Sequence, residues 1–448
     1  MKTAVRIVAH HYRVDSGEVL ETQTISDKPV DKPITINELG YLHKEQIEMT
    51  KSIQDFKIKH QAVLINRNGT CPKCGKRPYT HGIRKSKFHA ALTDHEVFIQ
   101  RRSCKCGWGG PYTVEGIYGS SIHPDLLEKQ AIQGVENSYR KASSNLNAES
   151  KKVRPINSVE GIRKCVAKVS KMIEKQKLVK PNEVKKNESA KKLVAVSDGG
   201  HVKSNNNNSR SFEAMITTVY RPENIEVIDK NHNRITKKTC VASALSDGQL
   251  SIKKLTLNAC IKEGMHSKVT ELTYLTDGAS NCWSITKGLE KYCKSMIKIL
   301  DWFHITKRFT IILNKSLKEE FKDRINKVKW HLWHGNSKNS LSRLEALISD
   351  INDEKVKSLL TELYEYINRN KKYLTNYQKR KAKELPFTST LAETSVNSLI
   401  NERQKNNKKM QWSREGSHNI LQIKTSLFSK TWNEDWQQAQ QKIYKKAA

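Results

Sequence analysis

From Leu193 the hydrophobic pattern changes period, and the order of elements it then predicts constrains the fold more than any other feature of the chain. The runs "KLVAVSDGG", "RSFEAMITTVY", the short "NIEVID" and "KTCVASAL" are rich in β-branched and aromatic residues and predict strands. "GQLSIKKLTLNACIKEG" predicts a helix, "VTELTYLTDG" a strand, 280–293 a helix and "MIKILDWFH" a further strand. Two of these strands end in an aspartate followed by glycine, at Asp198 and Asp277.

Three strands, a helix, a strand, helical material and a strand are the order of an RNase H-like α/β domain, expected over 192–304. From 305 to 385, Leu, Ile and Trp recur at three- and four-residue spacings among many charges, which predicts an all-helical insertion. After the Pro386 break a helix begins near Thr390 and carries Glu393, so that 386–448 supplies the last helices of the α/β core. Upstream, 1–60 shows an alternating run, a Pro-punctuated linker and a helix from Asn37 to Lys59, with no assignable role. Residues 61–112 hold a cysteine block, and 122–180 read as helices with short breaks. The low-complexity "SNNNNSR" predicts a polar hairpin tip.

Asp198 precedes Gly199 and Gly200, and Asp277 precedes Gly278, so backbone can approach a ligand closely beside each carboxylate. Sites in open α/β sheets form beyond the carboxyl ends of strands. A third carboxylate on a packed helix would complete a set suited to Mg²⁺ or Mn²⁺, which prefer oxygen ligands. Glu393 is one candidate, with Glu384 and Glu402 as competitors. Two such ions can activate an oxygen nucleophile and neutralise charge during phosphodiester cleavage.

Composition suggests the substrate. Lys and Arg number 80 against 46 Asp and Glu, a formal net charge of +34 over 448 residues, and the basic residues run through the whole chain. The expected partner is nucleic acid. No stretch approaches about 18 apolar residues and the first residues lack the apolar block of a signal peptide, so no membrane association is expected.

Nine cysteines without a regular framework point to reduced thiols or a metal site. Cys71 and Cys74 form one knuckle and Cys104 and Cys106 a second, giving the four thiolates of a zinc-ribbon-like domain. The second knuckle is one residue short of C-x-x-C, so His81 or His89 can replace a thiolate. Four protein ligands leave no place for water, and the zinc would be structural.

The helices of 122–180 suit a helix-turn-helix-like reader of DNA. The third of them, capped by Asn157 or Ser158, presents Arg163, Lys164, Lys168 and Lys171 to bases or phosphates. Beyond Glu393, Arg403, Lys405, Lys408 and Lys409 suit phosphate contacts.

The series "SDGGH", "LTDGAS", "LDWFHITKRF" and "LAETSVNSLINERQ…MQWSREGSHNIL" resembles the DDE transposases of bacterial insertion sequences, over most of the chain. The likeness is greatest to the ISKra- and ISLre-like groups related to Mutator-type elements. In that family two aspartates and a late glutamate bind the catalytic metals, so the resemblance gives those roles to Asp198, Asp277 and Glu393. Asp301 and His304 match a further family mark, which puts His304 at the scissile phosphate or in support of the metal site. A Met-x-Trp-Ser…Gly block after the glutamate favours Glu393 over its competitors.

The resemblance implies a transposase that binds the terminal inverted repeats of its element, cuts them, and joins the freed 3′-hydroxyl to target DNA. It would work as a homo-oligomer, a dimer or larger, in the cytoplasm at the nucleoid. Two alternatives are a domesticated DNA-binding descendant that cuts nothing and another RNase H-like nuclease. The ribbon, the helical reader and the long insertion exceed what compact nucleases of that second kind need.

Overall fold

The alternation at the start of the chain forms strand β1 (Thr3–Tyr12), paired antiparallel with β2 (Val19–Val30). The computed structural model describes residues 3–67, 69–150, 152–182, 185–229, 233–315, 318–390, 397–405 and 410–445. They divide into two units, Met1–Met172 with Trp436–Ala448, and Ile173–Asp435.

In the first unit, helix α1 (His43–Ile65) starts later than the Asn37 expected from sequence. It packs on the antiparallel hairpin of β3 (Tyr79–His89) and β4 (Asp94–Ser103), where Ala62, Val97, Ile99 and Val114 form a small core. Below the hairpin Arg154 is buried. Its guanidinium donates to Asp94 Oδ1 at 2.5 and 3.0 Å and to the Ala90 and Ala91 carbonyls at 2.8 and 2.9 Å. Short α2 (Val114–Tyr118) leads to α3 (Pro124–Glu136), α4 (Tyr139–Ala148) and α5 (Val159–Lys177). Only Asn137 and Ser138 separate α3 from α4, and Ser138 Oγ accepts from Lys141 N at 3.2 Å as the cap. Ser158 Oγ accepts from Gly161 N at 3.2 Å at the start of α5. A methyl group at Gly134 would sit 2.7 Å from Val166 and 2.9 Å from Ile162, so glycine sets how closely α3 and α5 approach.

The second unit is built on a mixed sheet. Its strands are β5 (Lys192–Lys203), β6 (Ser211–Tyr220), β9 (Thr239–Ser243), β10 (Glu271–Thr276) and β11 (Ser295–Leu300), in the order β11-β10-β5-β6-β9. β6 is antiparallel to β5 and to β9, whereas β10 runs parallel to β5 and β11 parallel to β10. Hairpins can join the antiparallel strands; each parallel pair needs a crossover. Helices α6 (Leu250–Lys262) and α7 (Ser280–Ile285) lie in those crossovers. The expected strand "NIEVID" does not join this sheet: β7 (Ile225–Val227) pairs with β8 (Asn233–Ile235) as a separate ribbon. The helix expected over 280–293 is also shorter. α7 stops at Ile285, because Gly288 takes a φ of +89°, and a single 3₁₀ turn follows at Glu290–Tyr292.

Successive strand residues face opposite sides, so both faces of the sheet are apolar and both are covered. Leu193, Ala195, Met215, Val219 and Val241 pack with Ile252, Leu255, Ala259 and Ile285 on one side. Val194, Val196, Tyr220, Leu275 and Ile299 pack on the other with α8 (Trp302–Leu313) and the helices that follow. Those are α9 (Glu319–Trp333), α10 (Ser337–Asp350), α11 (Glu354–Arg369) and α12 (Tyr377–Ala382), which share a core through Ile325, Leu344, Leu360 and Tyr377. A π-helical stretch over Asn397–Lys405 and α13 (Arg414–Phe428) follow in this unit, and most of α14 (Trp432–Ile443) belongs to the first. α13 caps the exposed edge of β9: Ser429 Oγ accepts from Cys240 N at 2.8 Å and Gln422 Nε2 donates to the Ala242 carbonyl at 2.9 Å. Among the described residues no helix is long and apolar enough to cross a membrane.

Candidate functional site

The parallel strands set three aspartates in a row. Ser197 of β5 pairs with Thr276 of β10, and Thr276 with Leu300 of β11. The next residue on each strand is an aspartate: Asp198, Asp277 and Asp301. The sequence placed Asp198 at the end of its strand, but the strand runs past it. β5 continues to Lys203 because β6 keeps pairing with it after β10 has stopped, so Asp198 lies where the parallel pairing ends.

Each aspartate is held differently. Asp198 Oδ1 accepts from Gly199 N at 2.7 Å. Asp277 Oδ1 accepts from Ala279 N at 2.9 Å, and the Asp277 carbonyl accepts from the Tyr366 hydroxyl at 2.8 Å. Gly278 takes a φ of +93°, and a side chain there would strike Asn370 and Leu300. Asp301 is 1% exposed. Its Oδ1 caps α8 by accepting from Phe303 N at 3.0 Å, and it also accepts from Ser389 N at 2.9 Å. The Ser389 hydroxyl donates to the other oxygen, so one buried carboxylate joins α8 to the segment after the insertion.

His304, one turn into α8, lies between two of these groups. Its Nε2 is 3.6 Å from Asp301 Oδ2 and 4.0 Å from Asp198 Oδ2. Burial pushes the Asp198 carboxyl up from its ordinary value; His304 and the Gly199 N–H oppose this, and Asp277 and Asp301 add to it. Asp301 is also raised by burial, against the pull of His304 and Ser389. Carboxylates that raise one another in this way ionise together more readily when a cation joins them. The side chains offer oxygen donors, with Asp198 and Asp277 partly open to solvent.

A further acid, Glu213, was not singled out from the sequence. It lies on β6 against the α-carbon of Gly199 and receives the Asn281 amide. Burial raises its carboxyl, His201 opposes, and Asp277 and Asp198 add to the rise. Nothing in "SFEAMITTVY" marks this glutamate except that it is an acid inside a strand. Asp301 carried a clearer signal: "KIL" before it is an apolar run ending in Asp, as "VAVS" and "YLT" are before the other two.

Glu393, Lys408 and Lys409 lie outside the described residues. Of the competitors, Glu384 is exposed with a φ of +53°, and Glu402 is exposed, near Lys424 at 4.0 Å. Lys405 ends the π-helical stretch and reaches Gly200, beside Asp198. Burial lowers its pKa while Asp198 acts against that. Arg403 is 2% exposed and stacks on Trp412, 4.8 Å from the ring centre, so its guanidinium is turned inward. Trp412 is itself fixed to the β5–β6 hairpin, with Trp412 N donating to the Lys203 carbonyl at 2.9 Å.

The cysteines form a second centre. The Sγ atoms of Cys71, Cys74, Cys104 and Cys106 all lie within 4.8 Å of one another, with Cys71 and Cys106 at 3.6 Å and Cys74 and Cys104 at 3.4 Å. Tetrahedral zinc with bonds of about 2.3 Å separates its thiolates by about 3.8 Å, so the set is compatible with structural zinc. Neither histidine alternative takes part: His81 bonds Ser103 Oγ at 2.6 Å and His89 bonds Asp94 at 2.8 Å. Cys71 and Cys74 shift in opposite directions. Burial resists ionisation of Cys71, yet the N–H groups of Lys73 and Cys74 and the Cys106 thiol bring it down to about 7. The Lys76 N–H favours the Cys74 thiolate, but the Cys104 thiol and burial outweigh it and push Cys74 up to about 12.

The family model of an uncharacterised protein family, UPF0236, matches residues 118–441. The chain belongs to UPF0236. No curated protein matches it in sequence. The UPF0236 match takes in Asp198, Asp277, Asp301 and His304 and begins after the thiol cluster. It also takes in α5, where Arg163 and Lys164 are exposed and Lys168 is half-buried. Arg163 donates to both oxygens of Glu160 at 2.9 and 3.0 Å, Lys164 lies 3.7 Å from the same carboxylate, and Lys171 is exposed.

Proposed function

We propose that this chain is a metal-dependent DNA transposase of the DDE type, with an RNase H-like catalytic core. The observation that carries the proposal is the row of aspartates where the parallel pairing of β5, β10 and β11 ends, with His304 between Asp198 and Asp301. The strand order supports the RNase H-like core: three antiparallel strands come first, and the fourth and fifth run parallel to the first. The formal net charge of +34 supports a nucleic-acid substrate.

Asp198 and Asp277 would hold the Mg²⁺ or Mn²⁺ ions, with Glu393 as third ligand by resemblance. Bound there, the ions supply a nucleophilic oxygen at neutral pH and offset charge on the phosphate being attacked. The chain's own groups shape the site around that chemistry. The Ala279 N–H and the Thr276 hydroxyl both donate to one oxygen of Asp277, which fixes the orientation of its carboxylate. Lys405 stands beside Asp198, where a phosphate would meet its ammonium group. Asp301, fully bonded, holds the helix that carries His304. Terminal-repeat recognition and a dimeric or larger assembly belong to the same proposal.

The test is cleavage of duplexes carrying the ends of the encoding element. The wild-type chain should nick them with Mn²⁺ and not with EDTA. Asp277→Asn should bind the same DNA within about twofold while cutting falls at least a hundredfold, the loss of about 3 kcal/mol of transition-state stabilisation. Undiminished cutting by this variant would overturn the assignment, and binding without cutting by the wild type would leave a DNA-binding protein.

A further inference from the structure

The cysteine-bearing end of the β3–β4 hairpin is strongly cationic. Across 71–85 and 98–107 the sequence has eight Lys or Arg and neither Asp nor Glu. Lys73, Lys76, Arg77 and Lys105 lie on the two cysteine loops and are all exposed. Arg84 and Arg101, also exposed, flank the Tyr112 ring at 5.0 and 5.2 Å. Among the described residues, Lys85 alone of the eight has a carboxylate partner, Glu96 at 2.6 Å. Aromatic surface accompanies the charge: Tyr79 lies under Lys105 at 5.9 Å, and Phe98 is half exposed on the outer face of the hairpin.

Helix α5, the reader favoured by sequence, differs in this respect. Glu160 already neutralises Arg163 and Lys164, and Lys168 is half-buried. At Arg163 and Lys164 a phosphate backbone would have to displace that carboxylate, whereas at the hairpin end it meets several cations without a carboxylate partner among the described residues.

We propose that the cysteine end of the hairpin is a docking surface for duplex DNA, gripping its phosphates, and that metal on the four thiols keeps the cations in place. The coupling is structural. The turns that carry the cations are those that carry the thiols, with Cys71 N bonded to the Lys76 carbonyl at 2.8 Å and Lys73 Nζ to the Cys106 carbonyl at 3.0 Å. Without a metal to draw the thiols together, the two loops lose their main tie and the cations scatter.

The inference rests on the DNA-binding half of the proposed function and is scored by binding alone, so it stands or falls apart from cleavage at Asp277. Duplex binding by the full chain is measured against salt for the wild type, for Lys76→Ala/Arg77→Ala/Lys105→Ala and for Arg163→Ala/Lys164→Ala. Neither variant touches a cysteine, and equal zinc content confirms an intact cluster. The hairpin variant should bind at least tenfold more weakly at about 0.1 M salt, with a salt slope shallower by about 2.7, or about 0.9 for each phosphate no longer neutralised. The α5 variant should stay within about twofold of the wild type. Removing zinc from the wild-type chain should weaken binding as the hairpin variant does. An unchanged hairpin variant, a loss confined to the α5 variant, tighter binding of duplex RNA, or no duplex binding by the wild type would each overturn the proposal.

Discussion

Single residues in this protein show how the same side chain takes opposite roles from its surroundings. Burial pushes the Asp94 carboxyl up, but His89 and Arg154 outweigh it and hold it well below the usual carboxylate range. A folded-state value below the unfolded one means that the pairing stabilises the protein above about pH 4 and is lost as pH falls through the folded value. Arg154 is 2% exposed, so Asp94→Asn leaves a buried cation without its counter-charge. It should cost about 3 kcal/mol at pH 7. Urea unfolding at pH 7 and pH 3 checks this: the gap between variant and wild type should narrow only in part at the lower pH, because the folded-state carboxyl is still ionised there. Asp198 and Asp301 go the other way, because burial dominates at those positions.

At the scale of elements, Asp301 joins two segments far apart in sequence. It caps α8 and receives both donors of Ser389, just beyond the helical insertion. Asp301→Ala should therefore destabilise the second unit by about 2–3 kcal/mol, from a lost cap and buried donors left unpaired. Ser389→Ala, which keeps the cap and the backbone bond, should cost about 1 kcal/mol. Denaturant unfolding gives both values, and faster hydrogen exchange at the residue 389 amide should accompany Asp301→Ala but not Ser389→Ala, which keeps that bond. Element boundaries show the same dependence on partners. β5 outlasts β10 because β6 continues to pair with it, and "NIEVID" leaves the main sheet because β8 lies close by. A period-two pattern reports a strand and is silent on which neighbour will pair with it.

At the scale of the whole molecule, the two units depend on different forces. The sheet of the second unit is apolar on both faces and covered on both. The hairpin of the first unit has one small core, so a metal on its four thiols would contribute much of its order. Chelation should then raise hydrogen exchange across 71–106 and leave β5, β10 and β11 unchanged. Equal loss of protection in the sheet, or none in the hairpin, would contradict a structural metal.

Most element types over 192–304, the cysteine knuckles and the placement of Asp277 just past a strand end were legible in the chain, whereas Asp198 lies inside β5. They follow from local pattern: hydrophobic period, β-branched composition, Asp-Gly steps and Cys spacing all act within a few residues. Strand order decided the rest. Only parallel pairing in a shared register put Asp301 level with Asp198 and Asp277, and only the packing of α8 brought His304 between two of them. The choice of four thiols over His81 or His89 was likewise tertiary, since each histidine had found a partner across the hairpin. The sequence by itself determined most of the segments that become strands and helices and which acids follow their apolar runs, because those are local properties. The tertiary structure decided which of those acids meet, because register and packing join residues that no local pattern connects.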